Sequence, residues 1–359
     1  MTTVIGAQRL TQSVQVDSST TRVPFVSVLV LNWNGKRILP ACLNALNRTE
    51  YPAGRWEAVL VDNASSDGSL EAAAQAHPWL RIHRNEGNWG FARGYNRSMS
   101  DASGPYVVLL NSDTRVRPGW LKALVAAAES DPRVGAATAK LIFPESSPHA
   151  GCIQNAGGIV LANGSGRDRG TVFQEGSWVQ ERDNGQYDRP EEVFFFCGAA
   201  ALLRKDALQD VGLFDERYFM YYEDMDLSWR LRLRGWKVLF VPDAVVEHEH
   251  AASSQEWSPL FIYNVDRNRP LMLLKLAPLP LALREIARYS AEFALNCVRV
   301  LWWAISRRQR GPHAARTKMQ ARVILSWIRD LPSVLTDRWR IQQRRLVPEK
   351  AISRWMVQG

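Results

Sequence analysis

Residues 25–31 run apolar and β-branched without a break, then stop at Asn32-Trp33-Asn34-Gly35. An apolar run closed by turn residues predicts a strand buried on both faces. Ile38, Leu39, Cys42, Leu43 and Leu46 follow at helical spacing. The alternation then repeats. Strands are predicted over 56–61, 80–83, 106–110 and 134–143, and helices over 69–76, 91–100 and from Pro118, a first-turn proline, to about 128. Uniformly apolar strands alternating with helices predict an α/β fold with a parallel sheet covered on both faces. Ligands of such sheets bind beyond the carboxyl ends of the strands. Those ends carry Asn32-Trp33-Asn34, Asp62-Asn63 and Asn111-Ser112-Asp113.

The second half reads differently. Residues 144–190 are rich in Gly, Ser, Asn and Asp, which predicts a long irregular excursion. Order resumes with an apolar run over 193–203. A helix is predicted over 223–234 with Gly235 at its end, then a strand over 237–241. Residues 271–283 are almost wholly apolar. A stripe of Leu283, Ile286, Ala287, Phe293, Ala294, Cys297, Val300, Leu301 and Ala304 leaves Arg284, Arg288, Glu292 and Arg299 mostly to one side. Trp302-Trp303 precedes Arg307-Arg308-Gln309-Arg310, and a second basic, Trp-bearing helical pattern covers 317–345.

Apolar residues make up 46% of the 359-residue chain and charged residues 23%, so it can bury a full core. The net charge of +9 is unevenly placed. Residues 284–359 hold 16 Lys and Arg against 5 Asp and Glu, whereas the rest holds 29 against 31. A neutral body with a cationic tail points to a polyanionic partner, a membrane or nucleic acid. Clustered Trp and an apolar stripe favour an anionic membrane surface, so no nucleic acid is expected. Four scattered cysteines without a CxxC pair disfavour zinc-ribbon and thioredoxin-type centres. Residues 1–22 read as a flexible lead-in without a signal-peptide core, and no apolar stretch is long enough to span a bilayer. A cytoplasmic protein held at the inner face of the cell membrane is expected.

Several residue groups could carry chemistry. Asn111-Ser112-Asp113-Thr114 closes an apolar strand and could hold Mg²⁺ or Mn²⁺, or simply start the next helix through an Asx-turn. Asp62 could receive a base or ribose hydroxyl, or cap a turn, while Asp67 fits a helix cap. Asn88-Trp89-Gly90-Phe91-Ala92-Arg93-Gly94-Tyr95-Asn96 lies far from the first strand, which argues against a dinucleotide fingerprint. The start of its helix could still face a diphosphate. Tyr221-Tyr222-Glu223-Asp224-Met225-Asp226 places three carboxylates at a helix start, where the dipole steadies them and mutual repulsion could raise one toward general-base duty. Asp226 can pair with Arg230 at i+4. Glu247-His248-Glu249-His250 is too short for a zincin motif, leaving His248 as a single ligand or a structural histidine.

Taken in order, VSVLVLNWN, VLVDNASSDGS, NWGFARGYN, VLLNSDT, FCGAAALLRKDAL, VGLFDERYFMYYEDMDLSWRLRLRGW and FVPDAVVEHEHAASS resemble an inverting family 2 glycosyltransferase of the GT-A fold. The resemblance spans roughly residues 23–254, and its motifs look most like the rhamnosyltransferase branch. It implies a GT-A domain over 23–265, with a Rossmann-like, mostly parallel sheet, and a basic, membrane-associating helical appendage over 266–359.

The resemblance also implies roles. Asn32, Asn34 and Asp62 would line the base and ribose pocket; Asn88, Gly90 and Asn96 would shape the loop beside the diphosphate. Asn111 opens the metal motif in place of an Asp, leaving Asp113 to hold the cation with His248. Asp224, in the Glu223-Asp224 pair, would deprotonate the acceptor. The implied donor is a nucleotide sugar, dTDP-L-rhamnose before UDP- or GDP-sugars, and the acceptor a glycan or polyprenyl-diphosphate-linked saccharide. The alternatives that stay open are a nucleotidyltransferase and a nucleotide-sugar-binding protein without catalysis.

Overall fold

A computed structural model describes residues 23–249, 258–305 and 313–358. The expected lead-in, His250 and the basic cluster at 307–310 lie outside the described residues.

The first half follows the predicted alternation: β1 (Val26–Asn32), α1 (Leu39–Leu46), β2 (Trp56–Asp62), α2 (Ser69–Ala76), β3 (Arg81–Arg84), α3 (Ala92–Asp101), β4 (Tyr106–Asn111), β5 (Thr114–Val116), α4 (Trp120–Glu129) and β6 (Val134–Ile142). β3, β2, β1 and β4 pair in parallel, with Asn32 beside Asp62 and Leu31 beside Asn111. Three polar strand ends therefore share one edge.

The excursion is built rather than irregular. It holds β7 (Ile153–Asn155), β8 (Gly158–Leu161), β9 (Gly166–Asp168), the hairpin β10 (Thr171–Gln174) and β11 (Ser177–Gln180), and β12 (Glu191–Glu192). Each has two to four residues, too few for alternation to register in the sequence.

After it come β13 (Ala200–Arg204), α5 (Lys205–Val211), α6 (Glu223–Leu233) and β14 (Lys237–His248). β13 inserts between β4 and β6, antiparallel to both. The expectation of a mostly parallel sheet is thus corrected to a mixed one of order β12-β14-β6-β13-β4-β1-β2-β3. An apolar strand reads the same in either direction, so composition could not show the reversal. β14 extends past the predicted 241 because a register shift between Val241 and Val245 absorbs Pro242, which cannot donate to a ladder.

The C-terminal part is helical: α7 (Pro259–Leu276), α8 (Leu279–Ile305), α9 (His313–Arg344) and α10 (Glu349–Ser353), closed by β15 (Met356–Val357), which pairs with β8. Leu271, Met272 and Leu273 of α7, Val323, Trp327 and Val334 of α9 and Ile352 of α10 share one buried cluster with Met225, Trp229 and Leu233 of α6. The helices therefore complete the core behind the acidic helix.

α8 turns the expected stripe partly outward. Its buried positions are Ala282, Glu285, Tyr289 and Asn296, whereas Leu295, Val298, Leu301, Trp302 and Ile305 are exposed. The inward polar groups are partnered: Glu285 by Arg269, Tyr289 by Asp266 and Asn296 by Gln320. α9 exposes Leu325, Ile328, Leu331, Leu335 and Trp339. No described helix is long and apolar enough to cross a membrane.

Met272 is fully buried between α6 and the later helices. Met272→Ala is expected to lower the unfolding free energy by about 2–5 kcal/mol, read by urea titration; unchanged stability would show that α7 contributes nothing to the fold of the body.

Candidate active site

A hydrogen-bonded knot joins the ends of β1 and β2. Asn32 Nδ2 donates to Asp62 Oδ1 at 2.9 Å and to the hydroxyls of Ser65 and Ser69 at 3.0 Å. Asp62 also accepts from the Ser65 hydroxyl at 2.6 Å and, through Oδ2, from the Ser65 amide at 2.9 Å. Asp62 thus organises the loop and keeps limited accepting capacity for a ligand. Asn34 adopts a left-handed backbone and accepts from the Ser66 amide at 2.8 Å. Asp67 accepts from the Ser69 and Lys36 amides at 3.0 and 2.8 Å, but the N-cap of α2 is the left-handed Gly68, so Asp67 shapes the turn before the helix instead of capping it.

The loop before α3 is set by Asn63, just past the end of β2, and by Asn85, which no motif in the sequence marks. Asn63 Nδ2 donates to the Gly90 carbonyl at 2.9 Å, and Asn63 Oδ1 accepts from Asn85 Nδ2 at 2.7 Å. Asn88 Oδ1 accepts from the Gly90 amide at 3.1 Å. Gly90 has φ of +70°, and a side chain there would strike the Phe219 carbonyl. That carbonyl also accepts from the Phe91 amide at 2.7 Å. The start of α3 is therefore tied to the segment leading into α6. Asn96 is tied there too: it exchanges two hydrogen bonds, each 3.0 Å, with the backbone of Phe214 and donates to Glu216 at 3.0 Å. It braces the loop from behind.

Asp113 and His248 meet through the pairing of β5 with β14, in which Thr114 faces His248. Both are buried, with His248 Nε2 3.2 Å from Asp113 Oδ1. Gln154 Oε1, on β7, lies 2.7 Å from His248 Nδ1 and accepts from it. A neutral ring so oriented turns an accepting Nε2 toward an accepting carboxylate oxygen. A proton or a cation satisfies that pair. Asp113 Oδ1 accepts no hydrogen bond, which fits a carboxylate facing a cation. One carboxylate and one imidazole form a partial donor set that substrate phosphates can complete for Mg²⁺ or Mn²⁺. No group of three or more His, Cys, Asp or Glu suited to a metal occurs among the described residues. Asn111 stands next to this pair at the strand end, its amide donating to the Ala199 carbonyl at 2.9 Å.

The acidic pair opens α6. Asp224 is half-buried and accepts from the Met225 amide at 2.7 Å and the Gly198 amide at 3.4 Å. Gly198 precedes Ala199, so Asp224 sits one residue from the backbone that meets Asn111. Burial pushes its carboxyl up to about 6 against the pull of those amides, with the charge of Asp168 on β9 adding to the rise. Glu223 is buried, its Oε2 lacks a hydrogen-bond partner, and burial followed by the charge of Asp224 holds it well above the carboxylate range. Asp226 differs: Arg230 at 2.8 Å and Lys275 neutralise it. Neither Gln154 nor Asp168 stood out in the sequence, since both lie in the glycine-rich excursion.

The mixed α/β sheet with polar strand ends and an acidic helix start has a GT-A-like fold. The fold is similar to the crystal structure of GalNAc-T7 with UDP, GalNAc and Mn²⁺, at a TM-score of 0.51 and 17% identity over 71% of this chain and 51% of that one. Residues 27–212 match glycosyl transferase family 2, and the chain belongs to that family. It is 33% identical over 218 residues to the N-acetylglucosaminyl-diphospho-decaprenol L-rhamnosyltransferase of Mycobacterium tuberculosis, covering 57% of this chain and 69% of that protein. It is 29% identical over 236 residues to the O-antigen biosynthesis protein RfbC of Myxococcus xanthus, covering 64% of this chain and 18% of that protein. Family membership and a rhamnosyltransferase-like branch agree with the motif reading.

The raised Asp224 carboxyl has a stability consequence. Between about 4 and about 6 the folded state holds more protons than the unfolded chain, so this group lowers stability as pH rises through that window. Asp224→Asn is therefore expected to gain stability relative to wild type from pH 4 to pH 6 and hold the gain above it, read by melting temperature across pH. A difference that does not vary with pH would contradict the burial argument.

Proposed function

We propose that this chain is an inverting glycosyltransferase that moves L-rhamnose from dTDP-L-rhamnose to a hydroxyl of a polyprenyl-diphosphate-linked saccharide or related cell-surface glycan. The observation that carries the reading is the Glu223-Asp224 pair opening α6, with Glu223 buried and its Oε2 unpartnered beside Asp224, so that burial and neighbouring carboxylate charge raise both carboxyls, Asp224 to about 6. The likeness to the mycobacterial rhamnosyltransferase supports the choice of donor and acceptor.

In this reading Asn32, Asn34 and Asp62 receive the base and ribose, and the loop of Asn88 and Gly90, braced by Asn96, borders the diphosphate. Asp224 accepts the proton of the acceptor hydroxyl as its oxygen attacks the anomeric carbon. The new glycosidic C–O bond forms as the old one breaks on the opposite side, and the electron pair leaves with the nucleoside diphosphate. One displacement of this kind inverts the anomeric configuration. Burial and the neighbouring Asp224 charge raise the Glu223 carboxyl, which disfavours a second negative charge beside the base. Asp113 and His248, with Asn111 adjacent, are the residues that would hold a divalent cation; when bound, Mg²⁺ or Mn²⁺ offsets charge on the leaving diphosphate. The Mn²⁺ named for GalNAc-T7 accords with that assignment.

The exposed apolar faces of α8 and α9, each carrying Trp among arginines, suit a helix pair lying in an anionic membrane interface on the cytoplasmic side. A lipid-linked acceptor would be met there. Because α9 contributes to the core, surface substitutions test this better than truncation.

Asp224→Asn is expected to cut transfer by about 10²–10⁴-fold while donor binding, read by calorimetry, stays close to wild type; wild-type turnover in that variant removes Asp224 as the base. Replacing Ile328, Leu335 and Trp339 together by Ser should lower binding to anionic vesicles at least about tenfold. Undiminished vesicle binding by the folded variant moves the membrane contact away from α9.

A further inference from the structure

The segment entering the acidic helix is strained. Tyr221 and Tyr222 adopt φ of 69° and 71°, a left-handed backbone that non-glycine residues hold only where their surroundings enforce it. The Tyr222 carbonyl already accepts from the Asp226 amide at 2.8 Å, so this turn decides where α6 begins. Reversing either tyrosine would redirect Glu223 and Asp224.

What enforces the turn comes from α7, outside the family-matched residues 27–212. Asn268 is fully buried. Its Nδ2 donates to the carbonyls of Met220 at 3.0 Å and Tyr221 at 2.9 Å, the peptide leading into the strained pair and the peptide joining its two residues. Its Oδ1 accepts from Arg267 at 2.7 Å, which fixes the amide orientation. Arg267 also donates to the Arg217 carbonyl at 2.7 Å and pairs with Asp330 of α9. Two adjacent side chains thus hold three carbonyls of one loop, and a helix further along the chain anchors them.

We infer that Asn268 is a positioning residue: its two amide donors hold the Tyr221–Tyr222 turn so that Asp224 faces the reacting hydroxyl. The inference rests on the proposed role of Asp224 as the base. Asn268 touches no substrate in this account and acts only through the turn.

The test compares Asn268→Asp, Asn268→Ala and Asn268→Gln with wild type and with Asn268-intact Asp224→Asn, in the full-length protein. Asn268→Asp keeps the shape and the acceptor for Arg267 but loses both donors, and Asn268→Gln restores an amide. Assays run below each variant's melting temperature, with donor binding counting the folded fraction. Asn268→Asp and Asn268→Ala are expected to lose about tenfold or more in kcat, with donor KM within about threefold of wild type, and Asn268→Gln to recover part of the loss. Full kcat per folded molecule in Asn268→Asp or Asn268→Ala overturns the inference. So does a loss that vanishes once the folded fraction is counted, or a change confined to KM. If Asp224→Asn itself turns over normally, the base assignment has failed instead, and the two failures are told apart.

Discussion

The left-handed turn at Tyr221 and Tyr222 survives because segments from before and after it in the chain close on it. From the first half, Gly90 and Phe91 dock on the Phe219 carbonyl and Asn96 grips Phe214. From the C-terminal helices, Arg267 and Asn268 take the carbonyls of Arg217, Met220 and Tyr221. Backbone polar groups shielded from water must find partners, and in this half-buried loop the partners come from opposite sides. Gly90 has no side chain because the Phe219 carbonyl stands where one would be. The loop before α3, the acidic helix and α7 are for this reason tied together by hydrogen bonds.

Charge placement around that unit sorts the carboxylates. Asp226 is buried with Arg230 and Lys275, and Lys275 also reaches Asp215, which Arg217 shares. These groups compensate one another, as buried charges must. The two acids before Asp226 are treated differently. Glu223 and Asp224 are desolvated with no cation paired to them among the described residues, and their carboxyls rise accordingly. A carboxyl near 6 is a stronger base than an ordinary aspartate and is still largely ionised at neutral pH. The same helix turn therefore holds one structural carboxylate and one suited to proton transfer, separated by which residue α7 reaches.

Much of this was legible in the sequence, and the rest was hidden for physical reasons. β1, β2 and β4 showed as largely apolar runs ending in Asn or Asp, so the shared strand-end edge with Asn32 and Asp62, and Asp113 just beyond it, could be placed without coordinates. α2 was bounded correctly because Asp67 and Gly68 mark its start. The antiparallel insertion of β13 and the short strands β7 to β11 carried no periodic signal, which concealed Gln154 beside His248 and Asp168 beside Asp224. The C-terminal stripe was read by apolarity, yet α8 buries Glu285 and Asn296 and exposes Leu295 and Val298. Partnered polar groups reversed the usual rule there. Asn268 sits between Arg267 and Arg269 with nothing local to mark it, since its meaning depends on carbonyls some fifty positions away.

The most direct measurement is nucleoside-diphosphate release by purified full-length protein from dTDP-L-rhamnose, UDP-sugars and GDP-sugars, with Mg²⁺ or Mn²⁺ and with or without a polyprenyl-diphosphate-linked N-acetylglucosamine acceptor. The account predicts acceptor-dependent release of dTDP from dTDP-L-rhamnose and a product of inverted anomeric configuration. Acceptor-dependent turnover of a UDP- or GDP-sugar alone would contradict the assigned donor. Binding of nucleotide sugars with no turnover of any would contradict the assignment as a transferase.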